Sequence, residues 1–170
     1  TPGSLVPDED QGFYISAVIL PDGASLERTD KVVREVEAAI RANPANLDVV
    51  SFAGFDFIGG GFRNNAATIF VTQVPWDQRK VTAPQLVGEL FGRTMGIKEA
   101  LVLAFNPPAI FGLGTAGGYE FYLQNRGEGG AKRLQEVTYA FLGRANAGPM
   151  LAGAQTLWRA TVPQVRVDVD

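Results

Sequence analysis

The sequence predicts an α+β fold, with a β-α-β-β-α-β subdomain followed by an incomplete second βαβ unit. Three observations predict it. Short runs rich in β-branched and aromatic residues alternate with stretches whose apolar residues recur at helical spacing. Before residue 106 these signals come in the order strand, helix, strand, strand, helix, strand. A Pro- and Gly-rich link, NPPAIFGLGTAGG from Asn106 to Gly118, then separates them from a second start of the same theme.

The first strand is Phe13 to Leu20, bounded by Gly12 and by the turn cluster Pro21, Asp22, Gly23. Ser25 can cap the helix that follows, with Glu27 in the first turn where the helix dipole favours an acid. Thr29, Val33, Val36 and Ile40 form its apolar stripe. Glu27 with Lys31, Asp30 with Arg34 and Glu37 with Arg41 are acid-first i,i+4 pairs on a solvated face. Asn43-Pro44 ends it. Leu47 to Phe57 reads as the second strand, the glycine-rich stretch from Gly59 to Asn65 as a turn or loop, and Ala67 to Val74 as the third strand. Thr82 can cap a second helix with Pro84 in its first turn and Leu86, Leu90 and Phe91 on its buried side. Gly88 and Gly92 weaken this helix, so it depends on tertiary packing. Leu101 to Phe105 is the fourth strand. This order is the split-βαβ or ferredoxin-like arrangement.

Beyond the link, Tyr119 to Asn125 reads as a strand, Ala131 to Arg144 as a helix with Leu134, Val137 and Phe141 on one face, and Val165 to Asp170 as a strand. A lone βαβ unit leaves a sheet edge unpaired and an apolar face uncovered. The expectation is therefore that the rest of this unit lies further along a longer natural chain. The boundaries read from these signals are a lead-in over 1–12, a first subdomain over 13–112 and a second unit over 113–170.

Composition narrows the function. With 46% hydrophobic and 19% charged residues among 170, the chain can bury a core. Its net charge is −3 and its 15 Lys and Arg are scattered, unlike the gathered basic face of a nucleic-acid binder. Histidine and cysteine are absent, which excludes Ser-His-Asp and Cys-His catalysis, His- or Cys-ligated zinc or haem, and disulfides. No run approaches the ~18–20 apolar residues that span a bilayer, and the N-terminal TPGSLVPDEDQG lacks the regions of a signal peptide, so a soluble segment is expected.

The densest chemical feature is aromatic. Phe52, Phe55, Phe57, Phe62 and Phe70 surround the glycine-rich stretch, and Phe105 and Phe111 flank the proline-rich one. One reading is a hydrophobic core with a glycine hairpin. The other is an adaptable apolar cavity, in which ring faces bind many shapes and glycines let the backbone move aside. A phosphate loop is excluded by the missing Lys-Ser/Thr ending. Asp8, Glu9 and Asp10 read as an exposed polar lead-in instead of a cation or paired-carboxylate site. No nucleophile stands with a base, so no enzyme and no cofactor is expected.

Leu5 to Gly12 (LVPDEDQG), Leu20 to Thr29 (LPDGASLERT), Gly54 to Asn65 (GFDFIGGGFRNN), Ala104 to Ile110 (AFNPPAI), Leu113 to Phe121 (LGTAGGYEF) and Pro163 to Asp170 (PQVRVDVD) together carry a resemblance. In that order they resemble the periplasmic porter region of resistance-nodulation-division (RND) multidrug efflux pumps of the hydrophobe/amphiphile type. The match implies the subdomain called PC1 and the first βαβ half of PC2, following a transmembrane helix. It implies a homotrimeric, proton-driven pump in the inner membrane of Gram-negative bacteria, working with a periplasmic adaptor (membrane fusion) protein and an outer-membrane channel. Such pumps export drugs, dyes, detergents and other hydrophobic or amphiphilic compounds.

By the same resemblance, Phe52, Phe55, Phe57 and Phe70 match pocket phenylalanines, and Leu103 and Phe105 match positions at the entrance and proximal pocket. Ala17 falls where some relatives carry methionine in the cleft. The loop from Phe55 to Asn65, with Gly59, Gly60, Gly61 and Phe62, matches the switch loop between two pockets. Phe62 stands where others often have a polar residue. Phe57 is thus expected to govern substrate choice, and Leu101 to serve mainly stability. Two other classes share the fold. A nucleic-acid-binding module of RNA-recognition type would need a basic-Gly-aromatic run on the third strand, where ATIFVTQV has one aromatic and no charge. A hydrolase of acylphosphatase type would need Arg63 with Asn64 or Asn65 to bind phosphate.

Overall fold

A computed structural model describes residues 9–107, 121–149, 151 and 154–160. The chain divides into two units, Thr1–Gly118 and Tyr119–Asp170.

In the first unit, β1 (Phe13–Ile19), α1 (Leu26–Arg41), β2 (Asn46–Asp56), β3 (Gly61–Gln73), a 3-10 turn (Trp76–Gln78), α2 (Ala83–Thr94) and β4 (Leu101–Phe105) follow one another. The strands form one antiparallel sheet in the order β2-β3-β1-β4. That is the expected split-βαβ topology.

Each helix starts where the sequence supplies a cap. The Ser25 hydroxyl accepts the Arg28 N–H at 3.3 Å, and Thr82 forms a capping box with Gln85. This box and Pro84 in the first turn start α2 despite its two glycines. Thr29, Val32, Val33, Val36 and Ile40 of α1, with Ala83, Leu86, Leu90 and Thr94 of α2, are buried. The helix residues pack on Tyr14, Val18, Ala67, Ile69, Val71 and Val102 to make the core. Phe91, expected on this side, is 59% exposed, because it lies one residue beyond the Leu86–Leu90 stripe and so about 100° around the helix.

Of the three expected i,i+4 pairs, Asp30–Arg34 forms at 2.8 Å. The Glu37–Arg41 pair gives way to tertiary partners at both ends: Glu37 accepts the Ser51 hydroxyl, and Arg41 donates to the Val49 carbonyl at 3.2 Å. The lead-in is also more than a solvated acidic stretch. Asp10 makes a two-pronged ion pair with Arg79, at 2.7 and 2.8 Å, and accepts the Ala83 N–H at 2.9 Å and the Gly12 N–H at 3.0 Å. The Arg79 side chain is 3% exposed. The bridge fastens the start of β1 to the first turn of α2.

In the second unit, α3 (Gly130–Ala147) covers the expected helix with three further residues at its end. Phe121 packs edge-on against Phe141, ring centroids 5.5 Å apart. Residues 121–125, expected as part of a strand, are irregular. A strand persists only where a neighbour takes up its N–H and C=O groups, and none is paired with them among the described residues. The expected strand from Val165 to Asp170 lies outside the described residues.

Candidate functional site

Alternation along the strands places the core residues of β1 and β3 on the helix side, and their neighbours on the other. That other face carries Ile15 and Ala17 of β1, Ala66, Thr68 and Phe70 of β3, Val50 and Phe52 of β2, and Leu101, Leu103 and Phe105 of β4. Register joins them: Ile15 lies between Phe70 and Phe105, and Ala17 between Thr68 and Leu103. The fold thus brings Phe52, Phe70, Leu103, Phe105 and Ala17, scattered over 89 positions of sequence, onto one surface. Leu101, expected to be core, is 48% exposed on this same surface, whereas Val102 points to the helices and is 7% exposed.

The remaining rings arrive by a bend. Gly54 sits at an irregularity between the pairs Ala53–Ala67 and Phe55–Phe62, with φ +88, a conformation that glycine takes without strain. The chain beyond it crosses over Thr68, whose hydroxyl donates to the Phe55 carbonyl at 2.8 Å and accepts the Phe57 N–H at 3.1 Å. Phe57 therefore reaches both Phe70 and Phe105, at centroid distances of 6.1 and 6.2 Å. Phe62 meets Phe55 at 5.7 Å, Phe55 meets Phe52 at 6.5 Å, and Phe52 meets Phe70 at 5.9 Å. Six rings form an unbroken series in the tilted, edge-on or offset arrangements that aromatic quadrupoles favour.

The segment expected as a loop from Phe55 to Asn65 is a β-hairpin. Phe55 and Asp56 end β2, Gly61 and Phe62 begin β3, and only residues 57–60 form the turn. The cause is Asp56, which takes the Gly59 N–H on its carboxylate at 2.7 Å and the Gly60 N–H on its carbonyl at 2.9 Å. Its other carboxylate oxygen faces Arg63 across the hairpin at 3.2 Å. Asp56 and Thr68 were missed by sequence reasoning, and Arg63 was weighed only as a phosphate binder. The one available signal was Thr68 itself, a hydroxyl at the centre of the apolar run from Ala66 to Val71.

Exposure differs among the rings and the floor beneath them. Phe62 is 87% and Phe52 49% exposed, Phe55, Phe57, Phe70, Phe105 and Leu103 are half-buried, and Ile15 and Ala17 are buried. The face is therefore open at one end and roofed by Phe57 at the other. A separate shallow cavity of about 350 Å³ runs along one side of α3 between Arg133, Val137, Phe141 and Arg144. It is walled by a single helix, and two of its three charged groups, Arg133 and Glu136, pair with each other, so it makes a poorer site than the ring face. Among the described residues no cluster of His, Cys, Asp and Glu could hold a metal ion, and no helix is long and apolar enough to cross a membrane.

Fold and face together define a split-βαβ module that offers aromatic surface and little else chemically. The comparisons narrow this further. The model of the AcrB/AcrD/AcrF family matches residues 1–170. The chain is 31% identical over 173 residues to the multidrug/solvent efflux pump membrane transporter MepB of Pseudomonas putida, covering 99% of this chain. It is 32% identical over its whole length to the multidrug resistance protein MdtF of Escherichia coli O6:H1. To the multidrug export protein AcrF of Escherichia coli K12 it is 34% identical over 87% of its length. The chain belongs to the AcrB/AcrD/AcrF family of RND transporters. It spans about a sixth of the length of these relatives: 16% of MepB, 17% of MdtF and 15% of AcrF.

Proposed function

We propose that this chain is the periplasmic substrate-entrance and drug-binding part of a proton-driven RND efflux transporter, its first unit corresponding to PC1 and its second to the first half of PC2. The cargo is hydrophobic or amphiphilic: drugs, dyes, detergents and solvents. The whole transporter works as a homotrimer in the inner membrane of a Gram-negative bacterium, with a periplasmic adaptor protein and an outer-membrane channel. The chain itself performs no chemistry on its cargo.

One observation carries this reading: the unbroken series of six phenylalanines on the sheet face opposite α1 and α2, exposed at Phe62 and Phe52 and half-buried at the other four. Apolar burial yields roughly 25 cal/mol per Å2 and makes little directional demand, so such a face accepts many shapes with modest affinity. That combination suits a carrier that must also release. A nucleic-acid partner fits poorly, because the charged side chain among the outward strand positions is the acidic Asp48 and phosphate needs cations. Arg63, needed by the hydrolase reading, is engaged with Asp56.

The test is dye accumulation in efflux-deficient Gram-negative cells making the full-length transporter. Phe57→Ala should change the export of several apolar dyes by different factors. Val102→Ala, on the helix side, should lower the amount of folded protein and scale all dyes alike. Matching profiles for the two variants would make Phe57 a core residue and end the reading.

A further inference from the structure

Thr68 is the one polar side chain at the centre of the ring face. It stands opposite Ala17 on β1 and Phe52 on β2 and is fully buried. A hydroxyl in apolar surroundings is tolerated only when bonded, and the bonds it makes run to the hairpin tip, at Phe55 and Phe57. The tip is tied a second time by the Asp56–Arg63 pair, with Asp56 4% and Arg63 53% exposed. Gly59 lets that pair close, since a Cβ there would collide with Asp56 Oδ2 and Arg63 Nη2. Beneath the tip, Ile15 lies between Phe70 and Phe105 in the register, and the Phe57 ring touches both of those rings. Ile15 is 1% exposed although α1 and α2 both pack on the other side of the sheet.

We propose that Thr68, together with the Asp56–Arg63 pair, is a positioning residue that latches Phe57 over Ile15 and thereby sets the width of apolar ligand the face accepts. The inference rests on the reading above. With the latch closed, a small ligand finds the exposed rings of Phe52 and Phe62. A wide planar one must take the place of Phe57, which stacks on Phe105 at 28°, and lie on the Ile15–Ala17 floor. Removing the Thr68 hydroxyl leaves the Phe57 N–H and the Phe55 carbonyl unpaired while the tip is down. Both can reach water only when it lifts, so loosening the latch favours wide planar ligands.

The experiment uses the full-length transporter with Thr68→Val, Thr68→Ser, Arg63→Gln and Phe57→Ala. Hydrogen exchange is followed in a peptide covering 55–62 and in one covering β1. Cells report the accumulation of rhodamine 6G, a wide planar dye, relative to the smaller 1-N-phenylnaphthylamine. Thr68→Val should speed exchange over 55–62 about thirtyfold, the effect of two lost hydrogen bonds, and leave β1 unchanged. Rhodamine 6G should be cleared better relative to the small dye. Thr68→Ser should restore both readouts, and Arg63→Gln, an exposed change that survives if Thr68→Val does not fold, should move both in the same direction. The proposal is overturned if exchange rises equally in β1, or if Thr68→Val and Arg63→Gln match the parent while Phe57→Ala alters the dye ratio. If Phe57→Ala alters nothing either, the underlying reading fails instead.

Discussion

The two faces of the four-stranded sheet are built from the same strands and differ in almost everything else. On the helix side, Val18, Val36, Ile69 and Val71 are fully buried, and β-branched side chains of α1 and the strands interlock. On the other side, large rings stand half-exposed around a floor of alanine, threonine and isoleucine. Two carboxylate–arginine ties also differ. Asp10 and the buried Arg79 fasten the start of β1 to α2, whereas Asp56 in the ring-bearing hairpin holds an Arg63 that is half in water. The contrast separates two uses of apolar residues. Stiff aliphatics shut out water and store stability, while rings on small neighbours leave room that a guest or a loop can fill.

The largest expected effect is on the helix side. Asp10→Asn strips the near-buried Arg79 of its charge partner and should cost about 3–5 kcal/mol in denaturant unfolding of the chain. Its pH dependence adds a check. The Arg79 guanidinium, aided by the Ala83 and Gly12 amides against some opposing burial, holds the Asp10 carboxyl well below the usual carboxylate range. A lowered folded-state value means the stabilisation is complete above the ordinary Asp value of about 3.9 and is lost as pH falls below it. The gap between parent and variant should therefore be constant from pH 5 to 7, within about a pH unit, and narrow in acid. A gap that widens in acid would refute the assignment.

Next comes the direct contrast between faces. Ile69→Ala should lose about 2–4 kcal/mol, whereas Phe52→Ala, which removes a larger but half-exposed side chain, should lose about 1 kcal/mol. Equal losses would mean that the ring side is simply a second core. Narrowest in reach is Gly60→Pro. Gly60 has φ +68 and donates its N–H to the Asp56 carbonyl, and proline can do neither. The cost should be about 1–2 kcal/mol, confined to the hairpin tip, and in the transporter the variant should export bulky compounds less well. Unchanged resistance to large drugs would show that tip geometry is irrelevant to transport.

Much of this was legible in the chain, and for local reasons. Ser25 and Thr82 announce helix starts because capping acts within four residues, and the Val33–Val36–Ile40 stripe names its own buried face because the helical period is fixed. The aromatic set could be named from Phe52, Phe55, Phe57 and Phe70 crowding one glycine-rich stretch. The hairpin was hidden because glycines permit a loop as readily as a strand, and the choice fell to Asp56 reaching Gly59, Gly60 and Arg63. Leu101 was misplaced for a similar reason: in LVLAF every residue but Ala104 is a large hydrophobe, so the sequence alone does not say which parity faces the helices.

What the amino acids determined unaided was the order of elements in the first unit, both ends of α1, the start of α2, and the residue types available to a ligand. Those follow from capping, periodicity and side-chain chemistry, all of which act over a few positions. The tertiary structure alone decided that residues from 15 to 105 share one face, that Thr68 anchors the tip over Ile15, and that Asp10 belongs to Arg79. These depend on strand register and on a bend at Gly54, where contacts distant in sequence outweigh local preference.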